Sequence, residues 1–219
     1  MTDALKPLVD SLQFKDTAHS YFTAPSGPKS INNEDDAAES VHHCLPALEK
    51  ALPQHDGFLV ACYSKHPLVS RLKVHAAITS SRKPITGIFE ASVAYSLQII
   101  HPDESFGIVS TGKVWEKILS DAVVDFLGTG SAASKRFAGV ETTGLNATDL
   151  HDAPKEEVRR RMKDAVKRLL GKGKVGAICL GCAGMAGMDE IVREACVEEL
   201  REVEGGRVRI MDGVVAGAL

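Results

Sequence analysis

The sequence predicts an α/β fold built on parallel strands. Four short apolar runs have the length of strands, and they occupy residues 57–64, 83–89, 106–111 and 175–180. Each run is followed by a segment whose apolar residues recur at helical spacing, and this alternation is typical of α/β proteins. The runs are almost continuously apolar, which indicates strands that helices cover on both faces of a sheet.

The first clear helix is predicted in residues 34–52, EDDAAESVHHCLPALEKAL. Its apolar residues form a single stripe, which consists of Val41, Cys44, Leu45 and Leu48. A second helix is predicted within residues 151–174, with Asp152 as its N-cap and Gly171 at its end. The many arginines and lysines of this helix indicate a solvated face rather than a binding patch.

A third helix is predicted in residues 188–204. Its inward face is expected to consist of Ile191, Val192, Ala195, Cys196, Leu200 and Val203. Between the predicted strands, residues 128–146 read GTGSAASKRFAGVETTGLN and are rich in Gly, Ser and Thr. This segment is predicted to be a long loop near a functional site.

The composition places the chain in a broad class and argues against others. The 219 residues are 44% hydrophobic and 25% charged, as in an ordinary globular protein. The net charge of −3 gives no electrostatic basis for binding nucleic acid. No apolar run approaches the roughly 20 residues that span a bilayer, and the first residues lack a signal-peptide pattern. Five cysteines in such a chain predict reduced thiols and a cytoplasmic location.

The five cysteines divide into two groups by their places in the predicted elements. Cys44 and Cys196 lie on apolar helix faces and Cys179 lies inside a strand, so we expect these three to pack in the core. Cys62 and Cys182 instead follow the ends of strands, where open α/β sheets bind their ligands. A loop of small residues leads from Cys182 into a helix, and the field there is expected to lower the pKa of this thiol towards neutrality.

Two metal or redox readings of these residues are weaker. Cys179 and Cys182 form a literal C-x-x-C, but a redox pair needs both thiols at a helix N-terminus, and the first lies within a strand. A zinc site would need ligands beyond His42 and His43. We therefore expect neither a redox pair nor a metal site.

Two further motifs also fail on their context. Residues 171–176 match G-x-G-x-x-G, but they precede a strand, whereas the dinucleotide fingerprint follows one. Cys62 and His66 are the residue types of a thiol hydrolase, but four positions apart in a loop they define no geometry.

A pair of opposed thiols suits one reaction well. Cys62 and Cys182 could face each other across one crevice, because each follows an apolar strand. One thiolate would remove a proton from a carbon next to a carbonyl, and the other thiol would return a proton from the opposite face. The stereocentre is inverted, and no metal or organic cofactor is needed if donors in the site stabilise the enolate.

Four stretches make this interpretation more specific: FLVACYSKHPLV, ITGIFEAS, TTGLNATDLH and ICLGCAGM. Together they resemble the Asp/Glu/hydantoin racemase superfamily, in particular its hydantoin racemase branch in the fungal form, through nearly the whole chain. The resemblance implies two pseudo-symmetric lobes with mainly parallel sheets flanked by helices, and an active site in the cleft between them. The expected lobes are residues 1–101, joined by residues 205–219, and residues 102–204.

The resemblance also implies an activity and its residues. It implies a racemase of 5-substituted hydantoins, including allantoin, in which Cys62 and Cys182 are the two acid–base groups and no cofactor takes part. The residues that it implies in contact with substrate are Ser110, Thr111, Gly181, Ala183, Gly184 and Met185. The expected partners are a small-molecule substrate and further copies of the chain, with neither nucleic acid nor membrane.

The two ends of the chain and the residues Glu90 and Lys65 depart from the family pattern or need a separate interpretation. The chain begins at MTDALKPLV and ends at VRIMDGVVAGAL, so we expect it to lack the family's first strand and the end of its C-terminal helix, with weakened activity. Glu90 matches a family position, and we interpret it as a helix-capping residue rather than a substrate contact. Lys65 stands where relatives carry an acidic or neutral residue, and we expect it to be solvated.

Three other functions stay open at this point. One is an aspartate or glutamate racemase on the same fold, which would need a cationic or amide-rich pocket for the carboxylates. Another is a related isomerase or decarboxylase that uses the same thiols. The third is a binding protein that has lost catalysis. Fold alone does not separate these functions, because function depends on the site.

Overall fold

The computed structural model describes residues 2–128 and 135–219. Its strands form two separate sheets, and every strand pair in both sheets is parallel. In chain order the strands are β1 (Phe58–Val60), β2 (Ile85–Gly87), β3 (Ser105–Ser110), β4 (Phe137–Thr142), β5 (Val175–Leu180) and β6 (Arg209–Asp212).

Helices connect and cover these strands. In chain order they are α1 (Lys6–Asp10), α2 (Glu34–Leu48), α3 (Pro67–Lys73), α4 (Ala76–Thr79), α5 (Ile88–Ile99), α6 (Val114–Leu127), α7 (Asp149–Asp152), α8 (Lys155–Leu170), α9 (Asp189–Arg207) and α10 (Gly213–Ala218). Short 3-10 turns are formed by Thr2–Leu5, Leu52–Gln54 and Ala183–Met185. In the described part of the chain, no helix combines the length and apolar character needed to cross a membrane.

The strand order places the carboxyl ends of the strands together. The first sheet pairs β1 with β2, and Val60 lies opposite Gly87. The second sheet has the order β4-β3-β5-β6, and every residue of its two central strands β3 and β5 is buried. The predicted α/β class with parallel sheets is therefore confirmed. The apolar runs at 106–111 and 175–180 correspond to the central strands β3 and β5, and those at 57–64 and 83–89 contain β1 and β2.

Apolar side chains form three clusters around the sheets. One cluster lies beside the first sheet and includes Val41 of α2 and Leu72 of α3. Another lies under α8 and α9 and includes Met162. The third contains Phe89 of α5, Phe106 of β3 and other buried residues, and it connects the two sheets. Helix α5 contacts β2, β5, β6 and α10, so it is the element that joins both halves.

The predicted loop at 128–146 is wrong in part, because Phe137–Thr142 forms strand β4. This strand pairs only with β3 at the edge of the second sheet, and most of its residues are half-buried. Gly139 adopts φ +110°, and the register shifts at Phe106 and Gly107. An irregular edge strand lacks the continuous apolar run of a central strand, which explains why its pattern resembles a loop. Residues 129–134 of the predicted loop lie outside the described residues.

The predicted N-cap Asp152 is also wrong. Asp152 ends the short helix α7, and α8 starts after Pro154, which provides no side-chain cap. The proline accounts for the break, because it holds the preceding Ala153 in an extended conformation. Gly171 follows α8 as predicted.

Helix α9 contains most of the predicted helix at 188–204, but one inward position is wrong. Val192, Ala195 and Cys196 are buried as expected. Arg201 has φ 69° and ψ 170° and kinks the helix. Beyond this kink Val203 is 64% exposed instead of facing inward.

The last segment of the chain contacts both halves. Strand β6 pairs with β5 in the second sheet, with Asp212 opposite Leu180. Helix α10 then packs on α5, and a Cβ atom at Gly213 would lie 2.8 Å from the Ile88 carbonyl oxygen. The division of the chain into lobes at residues 101 and 204 stays a prediction.

Candidate active site

Both candidate thiols occupy the same place relative to their strands. Cys62 is the second residue after β1, and Cys182 is the second residue after β5. Both side chains are half-buried, and the charge of Cys182 contributes to raising the pKa of Cys62. The two thiols therefore lie within electrostatic reach of each other although 120 positions separate them in the sequence.

Cys182 begins the 3-10 turn Ala183–Met185. The backbone N–H of Gly184 donates a hydrogen bond to Cys182 Sγ at 3.4 Å, and the N–H of Met185 also favours the thiolate. Burial outweighs both donors, however, and raises the pKa of Cys182 above its ordinary value. The expectation of a lowered pKa is thus wrong, because the thiol lies in a dry environment at a single short turn rather than in the field of a long helix.

Cys62 has a more adverse environment for a thiolate. Burial raises its pKa to about 12, and the charges of Cys182 and Glu90 act in the same direction. Its one stabilising contact is the Ser64 hydroxyl, whose Oγ lies 3.6 Å from Cys62 Sγ. Ser64 was not predicted from the sequence, and its position two residues after the cysteine is the signal that could have indicated it.

Ser110 and Thr111 lie at the carboxyl end of β3, next to β5. The Ser110 hydroxyl donates to the Gly181 carbonyl at 2.7 Å, so it fixes the backbone before Cys182. The carbonyl of Thr111 accepts the Gly144 N–H at 2.9 Å, and its side chain is buried. These two residues adjoin the second thiol, but their direct contact with substrate stays a prediction.

The small residues around Cys182 are required by close packing. A Cβ atom at Gly181 would lie 2.7 Å from Ile108 Cγ2 and 2.8 Å from the Val109 carbonyl oxygen. Ala183 and Gly184 are buried in the turn. The Met185 side chain is fully buried in the cluster under α8 and α9, so this residue acts on the thiol through its N–H group.

His66 is not placed to activate Cys62. Its Nδ1 accepts the Leu68 N–H at 3.2 Å, so its Nε2 carries the proton and donates to Ser40 Oγ at 3.1 Å. Both ring nitrogens are therefore engaged, Nδ1 in capping α3 and Nε2 in a bond to Ser40 of α2, and burial lowers the pKa of His66 to about 4. This arrangement argues against a thiol hydrolase that uses Cys62 and His66.

A buried polar network connects the segments that carry the thiols. The Tyr63 hydroxyl donates to Ser92 Oγ at 2.8 Å, because the Ser92 hydroxyl itself donates to the Phe89 carbonyl. Cys179 of β5 lies 3.2 Å from Ser96 Oγ and near Tyr63. The network was not predicted from the sequence, where Cys179 shows only that it is an apolar strand residue.

A groove of about 570 Å³ opens beside the segment that follows Cys62, although neither candidate thiol is among the residues that line it. Ser64, which contacts Cys62, lines it together with Trp115, Ile118 and Asp121 of α6. Lys65 forms an ion pair with Asp125 across this groove, and its side chain is 62% exposed. The expectation of a solvated Lys65 is supported, since it does not appear among the charges that act on Cys62.

The remaining cysteines and histidines form no second centre. All five cysteines are free thiols; Cys179 and Cys196 are buried as predicted, and Cys44 is half-buried. His43 interacts with Ser26 and Glu39. Within residues 2–128 and 135–219, no group of three or more His, Cys, Asp or Glu side chains is arranged to hold a metal ion.

Two parallel sheets flanked by helices, with a cysteine two residues after one strand of each, define a two-sheet α/β protein. The sequence profile described as Asp/Glu/hydantoin racemase matches residues 1–219. The chain belongs to the Asp/Glu/hydantoin racemase family.

Individual relatives agree with this membership. An uncharacterized protein of Schizosaccharomyces pombe is 33% identical over 218 residues, which cover 99% of this chain and 83% of the relative. A hydantoin racemase of a Pseudomonas species is 28% identical over 218 residues, covering 99% and 78%. The solved structure of an allantoin racemase from Klebsiella pneumoniae superimposes with a TM-score of 0.74 at 23% identity, covering 99% and 79%, and supports the fold.

Proposed function

We propose that the protein is a cofactor-independent racemase of 5-substituted hydantoins. Its substrates include allantoin, which is a hydantoin with a ureido substituent. The observation that carries this proposal is the placement of Cys62 and Cys182, each the second residue after a strand of a different sheet; the effect of the Cys182 charge on Cys62 agrees with it. The family membership and the activities named for relatives support the choice of reaction.

In the proposed mechanism, the Cys182 thiolate removes the proton from C5 of the hydantoin ring. The electron pair left on the carbon moves into the adjacent carbonyl group and gives an enolate. The Cys62 thiol then donates its proton to the opposite face of C5, which leaves Cys62 as thiolate and Cys182 as thiol. The reverse reaction exchanges the two roles. The N–H groups of Gly184 and Met185 favour the thiolate form of Cys182 and support its assignment as the first base.

The charges near the site favour a neutral ring over a dicarboxylic amino acid. Glu90 is negatively charged when ionised and acts on Cys62, so it would repel the carboxylates of aspartate or glutamate. The two lysines that line the groove, Lys65 and Lys117, already pair with Asp125 and Asp121. A hydantoin ring carries no carboxylate and avoids this repulsion.

Exchange of the C5 proton tests the proposal. L-5-benzylhydantoin and (S)-allantoin are incubated with the protein in D₂O, and the ring proton is followed by NMR while circular dichroism follows optical activity. We expect exchange together with loss of optical activity for one or both substrates. Cys62→Ala and Cys182→Ala should lose racemisation, whereas Cys44→Ala, a half-buried thiol of α2, should retain it.

Full turnover by either of the first two variants would contradict the two-thiol mechanism. Absence of exchange with both substrates would contradict the proposed substrate class. Slow alkylation of all five thiols, unaffected by ligand, would then favour a binding protein.

A further inference from the structure

Glu90 is a half-buried residue near the first thiol, and its Oε2 atom is fully buried. It is the third residue of α5, which follows β2 directly. Because Val60 of β1 lies opposite Gly87 of β2, residues just beyond these two strands meet at one edge of the first sheet. Cys62 and Glu90 both lie there, and the charge of Glu90 acts on the Cys62 thiol.

Helix capping explains only part of this arrangement. The carboxyl group turns back towards Gly87, where a Cβ atom would collide with Glu90 Oε2, so the glycine is needed to admit it. The N–H groups of Gly87 and Glu90 favour its ionised form, as in a capping box. Oε2 is nevertheless buried without any hydrogen-bond partner. A glutamine would cap the helix equally well and would not bury a charge.

The groups around Glu90 act on its charge in opposite directions. Burial is the largest effect and raises the pKa of Glu90 above its ordinary value, while the charges of Lys73 at the end of α3 and Lys65 after β1 oppose it. On the other side, the groups that experience its charge are Cys62 and Tyr63. When ionised, the carboxylate is therefore a negative charge at the sheet edge from which the Cys62 segment leaves.

We propose that Glu90 is a positioning residue of the thiol pair: its carboxylate lies at the same sheet edge as Cys62 and disfavours a second negative charge there, so that Cys182 is the thiol that ionises. The contrast between the two sites supports this assignment. Cys182 receives N–H groups from its own turn, whereas Cys62 faces a carboxylate and a neutral hydroxyl. The significance for catalysis rests on the proposed racemase function, but the effect on the thiol does not.

Thiol alkylation measures this effect without requiring activity. The wild-type chain and Glu90→Gln are treated with iodoacetamide at pH 8, and modification of each cysteine is followed by peptide mass spectrometry. We expect Cys182 to react faster than Cys62 in the wild type. In Glu90→Gln the rate at Cys62 should rise about tenfold, which corresponds to a lost interaction of roughly 1.4 kcal/mol. The rate at Cys182 should change by less than about twofold.

Two variants and one internal reference separate charge from structure. Asp212→Asn is the matched control, since Asp212 is also a partly buried helix cap with an unpaired oxygen but does not act on either thiol. Glu90→Asp keeps the charge and should leave the Cys62 rate near the wild-type value. Cys44, in the layer beside the first sheet, should react at an unchanged rate if the variant has not loosened that layer.

An unchanged or slower rate at Cys62 in Glu90→Gln would overturn the proposal, as would an equal increase in Asp212→Asn. An increase in Glu90→Gln that Glu90→Asp shares would also overturn it, because the charge would then not be the cause.

If the protein racemises a hydantoin, a second readout is available. The equilibrium constant between enantiomers is one, so kcat/KM must stay equal for both, and we expect Glu90→Gln to change the ratio of their KM values instead.

Discussion

At the scale of single residues, the site depends on positions where little space or freedom is left. Gly181 joins β5 to Cys182, and its N–H donates to the Val109 carbonyl at 2.7 Å while its own carbonyl accepts from Ser110. The absence of a side chain lets β5 approach β3 at the point where the thiol leaves the sheet. The position of Cys182 therefore follows from a backbone contact that only glycine permits.

Substitution of Gly181 tests this contact. Gly181→Ala places a Cβ atom against Ile108 and the Val109 carbonyl, and we expect a loss of about 1–3 kcal/mol in the free energy of unfolding. Gly206→Ala is the control, because Gly206 lies in α9 with no atom within 4 Å of the added Cβ. Alanine there should be neutral or stabilise by about 0.5–1 kcal/mol. Urea denaturation measures both, and equal effects would refute the packing argument.

At the scale of elements, helix α5 connects the two thiol-bearing segments. It contributes Ser92 and Ser96, which meet Tyr63 from the loop after β1 and Cys179 from β5. All four residues are buried. Hydrogen bonds in such a dry environment fix geometry strongly, because an unpaired partner is costly. The relative placement of the Cys62 loop and β5 is thus held through one helix.

Removal of the Tyr63 hydroxyl tests this connection. Tyr63→Phe breaks the hydrogen bond to Ser92, and we expect it to lower the free energy of unfolding by about 1 kcal/mol. The control is Tyr95→Phe. Tyr95 lies on α5 together with Ser92 but is 37% exposed, so this change should alter the free energy of unfolding by less than about 0.5 kcal/mol. Thermal and urea unfolding of both variants give the comparison. A loss for Tyr95→Phe as large as that for Tyr63→Phe would mean that the buried bond contributes nothing specific.

At the scale of the whole molecule, buried titratable groups make stability depend on pH. His66 is buried and neutral, and its pKa in the folded state is about 4 against an ordinary value of 6.5. Between these two values the unfolded chain binds a proton that the folded chain does not. The contribution of His66 to stability is therefore fully present above pH 6.5 and is lost as the pH falls towards 4.

This linkage predicts a measurable slope. The free energy of unfolding should fall by about 2 kcal/mol from this residue alone as the pH is lowered from 7 to 5. His66→Asn keeps an acceptor for the Leu68 N–H but cannot titrate, so its slope over the same range should be smaller by that amount. Urea unfolding at a series of pH values measures the two slopes. Identical slopes for the wild type and His66→Asn would show that unfolding does not add a proton to His66 between pH 7 and pH 5.

Much of the fold was predictable from local patterns. Apolar runs predicted β1, β2, β3 and β5, and a helix at 34–52 was predicted close to α2, because burial on both faces or on one stripe is visible in the spacing of residues. Strand β4 was read as a loop, since an irregular edge strand has no such pattern. The predictions of Asp152 as an N-cap and of an inward Val203 were wrong, because Pro154 and the kink at Arg201 override the local signals.

By itself, the sequence determined the α/β class, the parallel strands and the position of each candidate thiol after a strand, since these follow from residue spacing along the chain. Only the tertiary structure decided that Cys62 and Cys182 influence each other, that their pKa values are raised, and that Glu90 retains an unpaired oxygen. The reason is physical: the charge state of a thiol depends on burial and on charges a few ångströms away. In this chain those groups come from distant segments, which no local pattern can bring together.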